Sequence, residues 1–517
     1  MALPVTLPAI SVPRQQQLVS SAILLASVFG PVLAGVLGLV AALEYVRAPG
    51  VIRPIFDDSY ISLHFARNLA EHGKLTFDGS NWSTGATSPL HVALIALAIK
   101  GGADPIMTGI VTGVMAHIAL AVSVYALTYA IFKTRLGGLL GGAAISFSAL
   151  AAVDAGNGLE TSLFMALVTA SMAAVFLARR WQTKLLAGVL IGLAILTRPE
   201  GAFLLPAVVI YRFITREPDE PLVRFVRDAL LYCLPGTGAL AFIGGLSLAV
   251  NGSIGGTASA KLRFFQEDGE KFGTKLNVAS DGVALFLSSV ITLIGLGLVA
   301  PRRREVALFA LFWLPVLVFY TLLFPGGLNH YFYRYQHPLL PLIATLAGAG
   351  GAVLLQSALK GNIATKLAVV AALIIVIVPL ANQFDRWRVV YRDASYETLV
   401  DMEGMVRDLN TIIGPEQTLA THDIGAVAYF GHFKVLDLVG LVNPDVIEYH
   451  KERTVSDYLD TVRPDFLLVF PEWDFYFLHI YPGSHPERYE LLKVYEGRNI
   501  RKLPYLLYRI TYPPTQG

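Results

Sequence analysis

The sequence predicts a polytopic α-helical membrane protein that carries a small soluble α/β domain at its C-terminal end. Three observations lead there. Only 15% of the 517 residues are charged and 54% are hydrophobic, whereas soluble domains carry about 25% charge. The charge-poor stretches recur at close to the ~20 residues that cross a bilayer. After Phe384 they give way to short apolar runs punctuated by Gly and Pro. A chain of this length can bury a large core in water, but it still needs a charged surface, and a mean hydropathy of +0.57 leaves none over most of it.

Taken in order, the first apolar run spans Leu18 to Leu43 behind Arg14. It is too long for a cleaved signal peptide and reads as a retained first span. About eleven spans follow from the ~20-residue rule, at 20–46, 106–132, 137–153, 159–178, 184–197, 200–214, 228–250, 282–300, 305–324, 335–357 and 366–382. The run Ser88 to Ile99 is short. Counted as a span, it splits the basic loops between the two faces. Left out, it puts Lys133/Arg135, Arg179/Arg180/Lys184, Arg212/Arg216/Arg224/Arg227, Arg302/Arg303/Arg304 and Lys360/Lys366 on one face. Lys and Arg mark cytoplasmic loops, so 88–99 is expected to be interfacial or re-entrant. The N-terminus is then cytoplasmic, as in a bacterial plasma-membrane protein. Residues 1–384 form the membrane domain, with a first outer loop at about 47–104, and residues 385–517 form an outer α/β domain. There, 396–411 reads as helix, and Thr418–Thr421, Val435–Leu438, Phe466–Phe470 and Tyr505–Tyr508 read as short strands.

Several function classes drop out. A net charge of +2 gives no reason to expect nucleic acid, and the single cysteine, Cys233, excludes an intrachain disulfide. The chain has no Walker lysine loop, no HExxH and no paired CxxC, so neither a metal nor a cofactor is expected. Transporters place ionisable groups near the bilayer midplane. Here they stand at helix ends, which favours an interfacial enzyme over a transporter.

The outer loops hold the chemistry. Asp57–Asp58 opens a helix with Ile61, Phe65 and Leu69 on one side, an amphipathic pattern expected to lie at the membrane surface. An acidic first turn explains such a pair structurally. The chemical alternative is a carboxylate that takes the proton from an attacking hydroxyl. Gly158–Leu159–Glu160–Thr161 offers the same choice for Glu160. Thr197–Arg198–Pro199–Glu200 matches a capping box, which accounts for Glu200. It leaves Arg198 as a cation at the positive end of a helix, suited to holding an anion. Lys261 precedes Phe264–Phe265, and His330, Tyr331 and Arg334 stand in an aromatic segment before the tenth span. Tyr there also fits an interfacial aromatic belt.

In this order the motifs resemble those of the GT-C superfamily of membrane glycosyltransferases, and more narrowly its bacterial arabinofuranosyltransferase-like branch. They are Phe56–Asp57–Asp58–Ser59–Tyr60, Gly158–Leu159–Glu160–Thr161, Thr197–Arg198–Pro199–Glu200–Gly201, Arg334–Tyr335–Gln336–His337–Pro338, Asp423–Ile424–Gly425–Ala426 and Val435–Leu436–Asp437 through Asn443–Pro444. The resemblance implies a GT-C-like fold and transfer of a sugar from a polyprenyl-phosphate donor to a cell-envelope glycan or glycolipid at the outer face of the bilayer. It implies arabinofuranose ahead of mannose or aminoarabinose. Asp57 or Asp58 would activate the acceptor, and Glu160, Arg198, Lys261, His330, Tyr331 and Arg334 would bind substrate. One departure bears on the sugar: relatives often carry Leu-Pro-Asn-Thr before the lysine, where this chain has Ser253 to Ala260.

Overall fold

The computed structural model describes residues 29–254, 276–277, 280–281, 290–323, 330–497 and 503–513. The principal helices of the apolar part are α1 (Gly30–Arg47), α2 (Asp57–His72), α3 (Pro89–Lys100), α4 (Pro105–Phe132), α5 (Arg135–Ser146), α6 (Ala149–Gly156), α7 (Thr161–Leu177), α8 (Trp181–Thr197), α9 (Leu204–Ile214), α10 (Leu222–Asn251), α11 (Val290–Val299), α12 (Arg303–Leu323), α13 (Leu340–Lys360) and α14 (Ile363–Glu397). Among the described residues six helices are long and apolar enough to cross a membrane, or seven if the bent pair α5–α6 counts as one span. That measure does not reach the expected eleven, and part of the expected span 282–300 lies outside the described residues. Helices α7 and α8 have 17 residues each and α9 has 11. At 1.5 Å per residue these fall short of a ~30 Å hydrocarbon core. The segment 137–153, expected as one span, bends by 62° between α5 and α6.

The outward faces are apolar. Helix α14 exposes Leu367, Ile374, Ile375 and Val378, and α10 exposes Leu230 and Leu234. Helices with satisfied backbones and apolar exteriors are what a bilayer requires.

The C-terminal unit begins without a break. Helix α14 runs through Phe384, and the chain continues by a wide helical turn into α15 (Gly404–Ile412). Then come β1 (Thr418–Thr421), α16 (Gly425–Phe430), β2 (Lys434–Asp437), α17 (Val446–Glu452), α18 (Val455–Val462), β3 (Phe466–Val469), β4 (Tyr489–Tyr495) and β5 (Tyr505–Ile510). The sheet order is β2-β1-β3-β5-β4, parallel across the first three strands and antiparallel thereafter. One core packs α15 against Phe466, Leu468 and Leu507, and the other packs α17 and α18 against Leu467, Val469 and Tyr508.

Helix α2 departs from expectation. It packs against α3 and against α16, so it buries Ser59, Ser62, His64 and Asn68 as well as Ile61 and Phe65. A surface-lying helix would leave those polar groups wet. Covered, they need partners. His64 Nε2 donates to the Phe77 carbonyl at 2.7 Å, and its Nδ1 accepts from Arg67 at 3.0 Å, which requires the neutral ring. Burial, with Arg67 alongside, lowers this imidazole to about 4 against the pull of Phe77. The unfolded chain therefore binds the proton more readily, and stability should be lost as pH falls from the ordinary histidine value towards 4, by up to ~3 kcal/mol. Thermal melting of His64→Gln should lack this acid-side decline. An unchanged decline would show that the ring does not cause it.

Candidate active site

Asp57 and Asp58 sit side by side but do different things. Successive helical residues point about 100° apart, so the two carboxylates leave α2 in separate directions. Asp57 is buried, and its two oxygens accept from the Gly425 and Ala426 amides at the start of α16, both at 2.8 Å. Only glycine fits at 425: a Cβ there would stand 2.7 Å from Asp57 Oδ2. Asp57 thus ties the C-terminal unit to α2 and does not cap its own helix, whose N-cap, Phe56, makes no side-chain bond.

Asp58 turns the other way, into a cavity of about 360 Å³ bordered by Glu160, Arg198, Glu200, Tyr320, Arg334, Tyr335 and Leu441. Its side chain is 28% exposed, and Oδ2 accepts from Arg334 Nη2 at 3.1 Å. The Tyr331 hydroxyl donates to Oδ1 at 3.4 Å, and His330 Nε2 stands 4.0 Å away. Arg334 lies between the rings of Tyr331 and Tyr335, each 5.0 Å from its guanidinium carbon. Its Nη2 is used on Asp58 and the Tyr335 hydroxyl, while its buried Nε and Nη1 make no hydrogen bond among the described residues. Buried donors without an acceptor cost about 1–3 kcal/mol each. Arg334 thus brings its positive charge to the cavity wall, and its Nη1–Nη2 edge is the planar fork that an oxyanion can take in competition with Asp58.

Arg198 is not the unpaired cation expected. Its Nη1 donates to Glu160 at 3.0 Å and its Nη2 to Glu200 at 2.7 Å, and the Tyr320 hydroxyl donates to the same Glu200 oxygen. The capping box does not form either. Thr197 Oγ1 bonds back to Leu193 at 2.8 Å, and the turn Pro199–Phe203 has no side-chain cap. Glu200 is free of the helix end and spends its charge on Arg198. The cluster Glu160–Arg198–Glu200 carries one net negative charge, so Arg198 has no positive charge to spare for a ligand.

The structure thus brings Asp58, Glu160, Arg198 and Arg334 to one cavity, sets His330 and Tyr331 beside Asp58, and turns Asp57 away. Lys261 lies outside the described residues. Sequence reasoning missed Glu200, hidden by its capping-box pattern, and Tyr320 and Tyr335, which look like any interfacial tyrosines. It also missed Leu441, which reaches the cavity from the C-terminal unit. A Cβ on Gly85 would lie 2.9 Å from the Leu441 carbonyl and 2.5 Å from Val442, so this loop closes directly over the first outer loop.

Residues 388–509 match the model of a family described only as a domain of unknown function, DUF8728. No curated protein matches the sequence. Solved structures do. ArnT from Cupriavidus metallidurans bound to undecaprenyl phosphate aligns with a TM-score of 0.58 at 12% identity, over 93% of this chain and 98% of that one. The apo oligosaccharyltransferase of Archaeoglobus fulgidus aligns with a TM-score of 0.58 at 12% identity, over 86% and 70%. The oligosaccharyltransferase AglB from Archaeoglobus fulgidus, in complex with an inhibitory peptide and a dolichol-phosphate, aligns with a TM-score of 0.53 at 13% identity, over the same shares. At these identities the likeness is one of architecture: the chain shares the fold of ArnT and of the Archaeoglobus fulgidus oligosaccharyltransferase.

Proposed function

We propose that the chain transfers a sugar from a polyprenyl-phosphate donor to a hydroxyl of a cell-envelope glycan or glycolipid. The observation that carries this is the pairing of Asp58 with a buried Arg334 whose Nε and Nη1 have no acceptor among the described residues, at one cavity wall. The donor phosphate takes the guanidinium fork and competes with Asp58 for it, so donor binding releases the carboxylate to accept a proton. Asp58 takes the proton of the acceptor hydroxyl, and the hydroxyl oxygen bonds to the anomeric carbon. The bond from that carbon to the phosphate oxygen breaks, and the lipid phosphate leaves with the electron pair beside Arg334. Retention needs a second carboxylate as nucleophile, and Glu160 and Glu200 are committed to Arg198. The site therefore suits a single displacement with inversion. Apolar lining from Ile61, Phe203 and Phe319 suits the first isoprene units.

Arabinofuranose is the sugar that the motif order from Phe56 to Pro444 favours. Purified protein supplied with polyprenyl-phosphate arabinofuranose, mannose and aminoarabinose in parallel, with an envelope extract as acceptor, should transfer the first. Transfer of mannose alone would refute the pentose and keep the mechanism; activity only with a nucleotide sugar would refute the lipid donor.

The reaction is placed on the non-cytoplasmic side of a bacterial plasma membrane. Supporting this, the basic loops gather at one end. Arg302 stands 5.1 Å over the Phe132 ring, next to Lys133 and Arg135, and Lys184, Arg212 and Arg227 surround the buried Asp228. Thiol labelling of a single cysteine placed at Arg302 should fail from outside intact cells, and a cysteine at Glu472 should label. Outside labelling at 302 would invert the topology.

A further inference from the structure

We propose that Asp154 and His337 form a positioning pair that holds the segment Tyr331–Arg334 against Asp58; this rests on the reading of Asp58 and Arg334 as the reacting groups. Tyr331, Phe332 and Tyr333 have φ of 44°, 63° and 65°. Left-handed backbone costs an ordinary residue roughly 1–2 kcal/mol, so three in a row persist only where the surroundings hold them. The holder is visible. His337 donates from Nε2 to the Phe332 carbonyl at 2.8 Å and from Nδ1 to the Asp154 carboxylate at 2.6 Å.

Asp154 is fixed in turn by Asn157 Nδ2 at 3.0 Å, and the Asn157 carbonyl accepts from Ser59 Oγ at 2.7 Å. Ser59 adjoins Asp58 in α2. The chain of contacts therefore closes on itself: Asp58, Ser59, Asn157, Asp154, His337, Phe332 and back through Tyr331 and Arg334 to Asp58. Both Asp154 and His337 are buried, 2% and 1% exposed by side chain, and neither borders the cavity. They act through the strained segment and touch no substrate. Aromatic packing supplies the rest of the hold, with Phe56 stacked on Tyr331 at 4.1 Å and Trp387 edge-on to Phe332 at 4.6 Å.

The test uses the full chain in detergent, with undecaprenyl phosphate as the binding probe and donor turnover as the second readout. His337→Gln and the isosteric Asp154→Asn should each lower kcat about tenfold to a hundredfold, the scale of an ångström-level misplacement, and weaken undecaprenyl phosphate binding with it. The discriminating arm is the Arg334→Ala background, where His337→Gln should change neither readout by more than about twofold, because a residue acting through Arg334 is not additive with its loss. A defect that multiplies in that background reports a general packing role and overturns the pair, as does wild-type turnover in both single variants. Should His337→Gln fail to fold, Asp154→Asn carries the same comparison. If Arg334→Ala itself retains wild-type binding and turnover, it is the reading of the site that falls.

Discussion

Asp58→Asn should reduce transfer by about a hundredfold or more, the range for losing a general base, while the protein still inserts and folds. The carboxylate is partly exposed to the cavity and bonded mainly through Arg334 and Tyr331, so an isosteric amide leaves the packing in place. Its neighbour supplies the control. Asp57→Asn keeps one acceptor for the two amides of Gly425 and Ala426 and turns an NH2 group on the other. Losing a charge-assisted bond there costs about 1.5–3 kcal/mol, and the loss should appear as a lower melting temperature with turnover far less affected. Equal turnover defects in the two variants would contradict the division of labour between the adjacent carboxylates.

Arg334→Ala should lower donor use by roughly 10²–10³ in kcat, the scale of one lost charge-stabilising donor group, and weaken binding of the lipid phosphate, with a measurable residue of both. Arg334→Lys should recover only part, since an ammonium restores charge without the planar fork. Arg198→Ala makes a useful contrast. It leaves Glu160 and Glu200 buried without their cation, a cost of about 3–5 kcal/mol, so its defect should track loss of folded protein, and Glu200→Ala should resemble it. A folded Arg198→Ala protein that had lost phosphate binding alone would return the anion site to Arg198.

The clustering of the charged residues was more legible in the sequence than the partners of each. Asp58, Glu160, Arg198 and Arg334 come from four widely separated motifs, and charged groups at helix ends on one face of an apolar chain have few places to go but a shared polar cavity. Asp57 and Asp58 were inseparable because their roles depend on where α16 lies, more than 360 residues along the chain. Thr197–Glu200 satisfies the capping-box pattern letter for letter, yet a buried Arg198 next to Glu200 outbids a backbone amide. Helix α2 was read as half-wet because a helical stripe does not reveal that a second domain covers the other face. The parallel strands β1, β2 and β3 were visible as apolar runs, as buried strands are. Edge strand β4 was not, because its exposed Glu490 and Lys493 break the run.

The most direct test is a structure of the full chain with a polyprenyl-phosphate sugar bound and Asp58 replaced by Asn to stall transfer. The phosphate should sit on the Nη1–Nη2 edge of Arg334, with the anomeric carbon facing residue 58 and the lipid tail leaving past Phe203 and Phe319. A phosphate held elsewhere, or an anomeric carbon facing Asp57, would contradict the account.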